Sequence, residues 1–184
     1  TAARAEGRLA GEIVVIECDG ETIDQDGCIR PGTNAEKLAG LEPAFDSEGT
    51  VTAGTSSPLT DGASAVLVCT EDYAAANSLD VLAKIKSIAV AGCQPEIMGY
   101  GPVVSTSKAL ERAGIKMADI GVVELNEAFA VQALACVREL AFDLDKMNLD
   151  GGAIALGHPL GATGARITGK AAQLLKREDK QYAL

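Results

Sequence analysis

The stretch from Ile120 to Ala141, IGVVELNEAFAVQALACVRELA, decides the fold class. Its first six residues are mostly apolar and partly β-branched, which is typical of a buried strand. From Glu127 to Ala141, apolar residues recur at steps of three and four, which is typical of one face of a helix. A strand that runs directly into a helix is one unit of an α/β fold.

Further strand-like and helix-like segments alternate along the chain and extend this unit to an α/β fold with a mainly parallel sheet. The other predicted strands are Glu12 to Cys18, Ala65 to Cys69 and Leu82 to Val90, with Tyr182 to Leu184 as the opening of one more. The other predicted helices run from an Asn34 cap through Leu41, over Asp61 to Ala65, from a Thr70 cap to near Asn77, from Ser105 or Thr106 to Gly114, and after the glycine-rich segment that ends at Gly164. Because the chain has no initiator Met and stops within a strand-like pattern, we interpret it as a segment of a longer protein.

The composition supports a packed core and excludes several classes of function. Of 184 residues, 47% are hydrophobic but only 3% are aromatic, so the core must consist of Val, Ile, Leu and Ala in one domain or two small ones. The net charge of −10 argues against nucleic-acid binding, which needs clustered Lys and Arg. No apolar run approaches the roughly 20 residues of a membrane span. Five cysteines without a CxxC pair favour neither a zinc site nor a complete disulfide framework, so we expect no metal and a cytoplasmic location.

The single histidine, His158, lies in the glycine-rich segment GGAIALGHPLG from Gly151 to Gly161. Histidine has an ordinary pKa of about 6.5, which suits proton transfer near neutral pH. The flanking glycines allow a close approach to the ring, and Pro159 fixes the turn. His158 is therefore a candidate general base, although the tripeptide GHP alone is more typical of a turn histidine exposed to water.

Three other segments could contribute to a site. Asn126 in NEAF follows a predicted strand at the usual ligand edge of an α/β sheet, where it could bind a ligand or merely cap the next helix. The segment TAGTSSPLTDGA, from Thr52 to Ala63, could form a tight loop against a ligand or a serine-rich surface loop. The segment IMGYGP, from Ile97 to Pro102, could line a substrate or be a turn in which Met98 fills a core gap.

Together and in this order, these motifs resemble the signatures of the thiolase family, from Glu6-Gly7-Arg8 to Leu184. They are most similar to bacterial 3-ketoacyl-CoA thiolases of the fatty-acid oxidation complex β-subunit type. The resemblance implies two repeated halves, each with a mixed five-stranded sheet between helices. It places residues 1–81 at the end of the loop domain and the close of the first half, and residues 82–184 in a truncated second half.

The resemblance also implies roles for particular residues. His158 would take the proton from a nucleophilic cysteine, and Asn126 would hold a water in the oxyanion site. The matches to binding positions are Ser57 and Arg30 for coenzyme A, and Met98 and Phe129 for the acyl pocket. None of the five cysteines matches a catalytic cysteine motif, so we expect this chain alone to be inactive. Two residues depart from the family pattern, because Asp150 stands where Asn is common and Pro58 stands where Gly is usual.

The activity implied is cleavage of 3-ketoacyl-CoA by coenzyme A to acetyl-CoA and a shortened acyl-CoA, in fatty-acid β-oxidation. Coenzyme A would be a substrate, and no cofactor would be bound permanently. Expected partners are CoA thioesters, further copies in a homodimer or tetramer, and a multifunctional β-oxidation subunit. The alternatives are a biosynthetic acetoacetyl-CoA thiolase (acetyl-CoA acetyltransferase), or an inactive fragment that serves only folding or oligomerisation.

Overall fold

A computed structural model describes all residues from Thr1 to Leu184. The helices are α1 (Ala2–Ala5), α2 (Ala35–Ala39), α3 (Glu71–Ala76), α4 (Gly101–Ala113), α5 (Ala130–Leu140), α6 (Ala153–Leu156) and α7 (Thr163–Arg177). The strands are β1 (Ile16–Cys18) and β2 (Glu21–Ile23), which pair as an antiparallel hairpin. Short 3-10 helices cover Pro95–Tyr100, Met117–Asp119 and Leu144–Lys146. Most of the regular structure therefore lies in the second half of the chain.

Capping residues set several helix ends where the sequence predicts them. The Asn34 side chain accepts a hydrogen bond from the Lys37 amide (2.9 Å) at the start of α2. The Thr70 hydroxyl accepts one from the Tyr73 amide (3.2 Å) at the start of α3. Helix α4 ends at Gly114, whose φ of 66° lies in the left-handed region that glycine adopts without strain. These predictions are confirmed.

Other predicted boundaries are wrong. Helix α4 begins at Gly101 rather than at Ser105 or Thr106, because Pro102 occupies its first turn, where no amide hydrogen is needed. Helix α5 begins at Ala130 rather than Glu127, because Phe129 still has extended backbone angles. The predicted helix from residue 61 to residue 65 is absent.

The predicted strands form only in part, because a strand needs a neighbour to satisfy its backbone hydrogen bonds. Residues 16–18 confirm the end of the first predicted strand, whereas residues 65–69 and 82–90 have no strand partner. Residues 120–125 make two isolated parallel bridges, Val122 with Ala183 and Val123 with Met147. The first of these bridges agrees with the strand-like pattern at the end of the chain.

The core lies around residues 120–125. Ile120, Val123 and Phe142 form its buried cluster. Partly buried apolar residues pack against this cluster from the surrounding helices and loops: Leu110, Ile115, Met117, Leu125, Val137, Leu140, Met147, Tyr182 and Leu184. Only 21 of 184 residues are buried, so the core is small for the length of the chain.

Apolar residues outside this core are unusually exposed. They concentrate in the segments without strand partners, and the largest exposures there are at Val14, Leu67, Val68, Ile88 and Val90. None of the helices has the length and apolar character needed to cross a membrane.

Candidate functional site

Asn126 stands at the carboxyl end of the central extended segment. The Glu124 amide donates to the Leu184 carbonyl (2.8 Å), and the Leu184 amide donates to the Val122 carbonyl (2.9 Å). The backbone leaves this pairing after Leu125, so Asn126 emerges at the edge of the core. This is the end of a strand where open α/β sheets commonly place ligand-binding side chains.

His158 follows α6 in a turn that only glycine can make without strain. Gly157 has a φ of 100°, which side-chain-bearing residues rarely adopt. A Cβ atom at Gly157 would also lie 2.6 Å from the Thr60 side chain. The His158 amide donates to the Thr60 hydroxyl (3.2 Å), so Thr60 fixes the backbone beside the ring.

The structure brings the two predicted catalytic side chains together. The Asn126 side-chain nitrogen lies 3.3 Å from His158 Nε2, although 32 residues separate them in the chain. His158 is partly buried. The alternative of an isolated turn histidine exposed to water does not describe this ring, because both of its nitrogens have hydrogen-bond partners.

Thr163 determines which ring nitrogen of His158 carries the proton. Its hydroxyl lies 2.8 Å from His158 Nδ1 and donates to the Pro159 carbonyl at 3.0 Å. A hydroxyl has one proton, so the Thr163 oxygen can only accept from Nδ1. The neutral ring is therefore protonated on Nδ1, and the lone pair of Nε2 points toward Asn126. This is the tautomer that a general base acting through Nε2 requires.

The Asn126 side chain has one hydrogen-bond acceptor without a partner. Its nitrogen faces His158, whereas its oxygen is buried without a hydrogen-bond partner. A buried acceptor without a donor costs free energy, and such groups cluster at functional sites. The oxygen is therefore available to a donor that enters the site.

The loop of residues 52–64 connects the two motifs. The Ser57 amide and hydroxyl both point at the Ala128 carbonyl, at 3.0 and 3.2 Å. The Ser64 hydroxyl donates to the Ala162 carbonyl at 2.6 Å. With Thr60 bonded to His158, this loop contacts both NEAF and the histidine turn, and it holds Ser57 against the Ala128 carbonyl of NEAF.

The remaining predicted site residues are not drawn together by these contacts. Phe129 is partly buried at the start of α5 and bridges Ser56. Met98 lies in the first of the 3-10 helices and is 74% exposed. Arg30 is exposed, and its side chain makes no hydrogen bond or ion pair. A cleft of about 500 Å³ beside α5 is lined by neither Met98 nor Phe129. Their binding roles stay predictions.

None of the five thiols forms a hydrogen bond with His158. Cys136 is fully buried in α5, and burial raises the pKa of its thiol. Cys18, Cys69 and Cys93 are exposed and Cys28 is partly exposed, all in segments away from the histidine turn. No cysteine of these 184 residues is placed as a nucleophile for this ring.

Asp150 is the centre of a buried charge cluster next to the glycine-rich turn. Its side chain is fully buried and forms ion pairs with Arg8, Lys170 and Arg177, the last at 2.6 Å. Burial alone would raise the pKa of Asp150, but hydrogen bonds from Arg177 and Lys170 outweigh it and lower the pKa to about 2. The departure from the family's Asn thus has a structural role, because it ties the N-terminal segment and α7 to this turn.

Glu124 lies behind Asn126 in the same charged environment. Burial raises its pKa from 4.5 to about 7, which outweighs the opposing effect of Arg166 and Lys170. One carboxylate oxygen of Glu124 and the Nε atom of Arg166 are buried without partners.

Sequence patterns missed Thr60 and Thr163, which hold the backbone and the ring of His158. Thr60 lies within the segment from Thr52 to Ala63, and Thr163 lies two residues after Gly161, so small hydroxyl residues near a glycine-flanked histidine were the available signal. The pairing itself depends on the fold, because Thr60 is 98 residues from His158.

Comparison with known proteins agrees with these motifs. The profile of the thiolase C-terminal domain matches residues 79–184, and that of the thiolase N-terminal domain matches residues 1–72. All of this chain aligns with 3-ketoacyl-CoA thiolases from Vibrio cholerae serotype O1 (55% identical) and a Shewanella species (56% identical), and it covers 50% of each. The chain therefore spans about half the length of the curated relatives it matches.

Two solved structures share the fold. Human mitochondrial 3-ketoacyl-CoA thiolase in complex with CoA superposes with a TM-score of 0.91 at 42% identity, over 99% of this chain and 46% of that protein. The Bacillus anthracis acetyl-CoA acetyltransferase gives a TM-score of 0.92 at 42% identity, over 99% and 47%. The predicted α/β fold class is confirmed by these similarities.

Proposed function

This chain belongs to the thiolase family, and from that premise we propose that it supplies the histidine and asparagine of a 3-ketoacyl-CoA thiolase active site. The observation that carries the proposal is the Asn126–His158 contact of 3.3 Å, with Thr163 holding the opposite ring nitrogen. The reaction is cleavage of 3-ketoacyl-CoA by coenzyme A, which yields acetyl-CoA and a shortened acyl-CoA. The relatives' names, 3-ketoacyl-CoA thiolase, support this reaction. Its place in fatty-acid β-oxidation is proposed from the resemblance of the motifs.

In the proposed mechanism, His158 Nε2 accepts the thiol proton of a cysteine outside these 184 residues. The thiolate attacks the 3-keto carbon of the substrate, and the bond between the second and third acyl carbons breaks. The acetyl-CoA carbanion that leaves takes a proton from an acid outside these 184 residues, and the conjugate base of that acid later accepts the thiol proton of coenzyme A. The acyl group stays on sulfur until the thiol of coenzyme A displaces it. Once protonated, Nε2 donates to the thioester oxygen as negative charge develops there.

Asn126 completes this arrangement by holding a water for the same oxygen. Its amide nitrogen already faces the ring, so it limits how far the imidazole can turn. Ser57 beside NEAF and Arg30 in its exposed turn are proposed to bind coenzyme A, and Met98 and Phe129 to line the acyl pocket. Residues 1–81 and 82–184 are proposed to belong to the first and second halves of the thiolase.

The wider assignments are proposals of the same kind. Coenzyme A acts as a substrate and no cofactor stays bound. The complete enzyme is cytoplasmic, forms a homodimer or tetramer, and associates with a multifunctional β-oxidation subunit. The CoA complex of the human relative supports CoA thioesters as ligands.

A chimera tests the reaction. These 184 residues would replace the matching half of the Vibrio cholerae relative, and thiolysis of 3-ketoacyl-CoA would be followed. We expect H158A to lower kcat by about 10²- to 10⁴-fold, the usual contribution of general acid–base catalysis. The exposed substitution E111Q on α4 is the matched control. Unchanged kcat in H158A would exclude His158 as the general base.

The biosynthetic alternative has support from one observation, the TM-score of 0.92 to an acetyl-CoA acetyltransferase. Chain length separates the two reactions. A degradative thiolase should cleave long 3-ketoacyl-CoA substrates with kcat/KM at least equal to that for acetoacetyl-CoA. Activity confined to acetoacetyl-CoA would favour the biosynthetic reaction.

A role in folding or association is the second candidate, because apolar residues of the unpaired segments are exposed. Val14 is 82% exposed, Val90 is 79% and Leu67 is 72%. Exposed apolar strand segments favour pairing with other chains. We expect the isolated chain to associate or aggregate, without thiolase activity, when its native mass is measured by light scattering. A monodisperse monomer that folds cooperatively would contradict this role.

A further inference from the structure

Three residues connect the backbone of Leu125, next to Asn126, with the first turn of α6, which precedes His158, and we propose that they form a positioning brace for the two catalytic side chains. The brace consists of Glu127, Asn148 and Gly152. This inference rests on the proposed function, because it concerns the same site, but it assigns residues to which sequence patterns gave no role.

Asn148 takes the place of a neighbouring strand beside Leu125. Its side-chain nitrogen donates to the Leu125 carbonyl, and its side-chain oxygen accepts from the Leu125 amide, both at 2.9 Å. One amide side chain thus satisfies both backbone groups of the residue that precedes Asn126. Asn148 therefore fixes the direction in which the chain leaves the core and enters the site.

Glu127 connects this point to the helix that carries His158. Its Oε1 atom accepts from the Asn148 side-chain nitrogen at 2.7 Å, and its Oε2 atom accepts from the Ile154 amide at 3.2 Å. Ile154 lies in the first turn of α6, and His158 follows two residues after the end of that helix. A single carboxylate therefore joins the end of the strand to the start of α6.

Gly152 provides the space for this carboxylate. A Cβ atom at Gly152 would lie 2.0 Å from the carboxyl carbon of Glu127, closer than non-bonded atoms approach. The φ of Gly152 is −104°, so any residue could adopt its backbone conformation. The glycine is needed because the Glu127 side chain lies against it.

Glu127 is a positioning residue rather than a proton-transfer group in this arrangement. Both of its carboxylate oxygens accept hydrogen bonds from fixed donors, and neither bonds to His158. Its effect on the reaction passes through the backbones at Leu125 and Ile154. A shift of about 1 Å in a reacting group can lower a rate on the order of 10²-fold.

The decisive experiment compares E127Q and G152A in the Vibrio cholerae chimera. E127Q replaces one accepting oxygen by an amide NH2 group, which can only donate, and G152A displaces the carboxylate without changing its charge. We expect each to lower kcat about 10- to 100-fold, with KM for 3-ketoacyl-CoA within about threefold and an unchanged pH profile. E111Q and G27A, both in exposed positions with free space, are the matched controls.

A double variant shows whether the link itself matters. N148D alone places a carboxylate against Glu127 and should lower kcat at least as much as E127Q. In E127Q/N148D the donor and acceptor are exchanged, so the link re-forms although Leu125 loses one partner. We expect kcat of the double variant to exceed that of N148D by about tenfold.

The outcomes separate this inference from the proposed function. If H158A abolishes activity while E127Q and G152A retain kcat within threefold, the brace is excluded and the proposed function stands. A shifted pH profile in E127Q would show that Glu127 itself titrates during the reaction, which would also overturn the positioning role. If H158A keeps full activity, the proposed function is wrong, and the brace loses the function on which it rests. If single variants fold poorly, the test is whether kcat of E127Q/N148D exceeds that of N148D. Equal kcat values in these two variants would overturn the brace.

Discussion

The extended region, residues 12–92, and the site region, residues 95–184, have similar apolar content but very different packing. The site region holds helices α4 to α7 and the core around residues 120–125. In the extended region, predicted strands at residues 65–69 and 82–90 lie without strand partners. Helices satisfy their own backbone hydrogen bonds, whereas strands depend on neighbours. The difference teaches that the contact between Asn126 and His158 lies in a region whose packing does not need a complete sheet.

The loop of residues 52–64 is the part of the extended region that bonds to NEAF and to the histidine turn. Ser57, Thr60 and Ser64 all bond to the site region, at Ala128, His158 and Ala162. This loop therefore joins the extended region to the site region beside His158.

Hydrogen exchange should show the largest contrast between the two regions. We expect backbone amides of α4, α5 and α7 to be protected on the order of 10³-fold more than those of residues 82–90, because the latter have no strand partner. Exchange of the 184-residue chain followed by mass spectrometry measures this directly. Equal protection would mean that residues 82–90 are paired in solution, by this chain or by another copy.

Removal of Asp150 should give the largest loss of stability. The substitution D150A leaves Lys170 and Arg177 without their buried carboxylate, which commonly costs about 3–5 kcal/mol. Urea denaturation of the Vibrio cholerae chimera, monitored by circular dichroism, gives the free energy of unfolding, because the isolated chain is expected to associate. The control is D24A, in an exposed loop of the extended region, where no hydrogen bond or ion pair is lost. If both substitutions cost the same, the charge cluster does not stabilise the site region.

Glu124 should make the free energy of unfolding fall as the pH rises. Its pKa is raised from 4.5 to about 7 by burial, so the folded state binds the proton more tightly than the unfolded state does. Stability should therefore fall by about 3 kcal/mol as the pH rises from about 4.5 to 7.

The groups that act on Glu124 are Arg166, Lys170, Asp150 and Glu12. Asp150 titrates near pH 2 and does not contribute in this window. We expect E124Q to flatten the dependence of unfolding free energy on pH between 4.5 and 7. An unchanged slope in E124Q would assign the dependence to another group.

Removal of a single threonine hydroxyl, one in each region, should give the smallest changes in the free energy of unfolding. T163V should cost about 1 kcal/mol, the usual value of one hydrogen bond, and T70A should cost about the same as a lost helix cap. Only T163V should move the nitrogen chemical shifts of the single histidine, because it removes the acceptor of the Nδ1 proton. Shifts that stay at wild-type values in T163V would contradict the assigned tautomer.

Local chemistry made part of this structure predictable. Asn34, Thr70 and Gly114 act at helix ends through their own side chains or backbone angles, and their helix boundaries were predicted correctly. Motifs made Asn126 and His158 separate candidates, whereas a common site for the two was implied only by the family resemblance, and their contact is seen in the structure. The lack of a strand at residues 65–69 could not be predicted, because strand pairing depends on neighbouring segments that no local pattern contains. The start of α4 was predicted wrongly although Pro102, in its first turn, is a local signal. The role of Thr163 could not be predicted, because it depends on the direction in which its hydroxyl proton points.

The cluster at Asp150 has a consequence for the evolutionary history of this protein. A change from the family's common Asn to Asp adds a buried negative charge, which lineages tolerate only where cations already surround the position. Arg8, Lys170 and Arg177 should therefore vary together with residue 150 among related sequences. Lineages that retain Asn there are expected to have lost at least one of these three cations, or never to have acquired it.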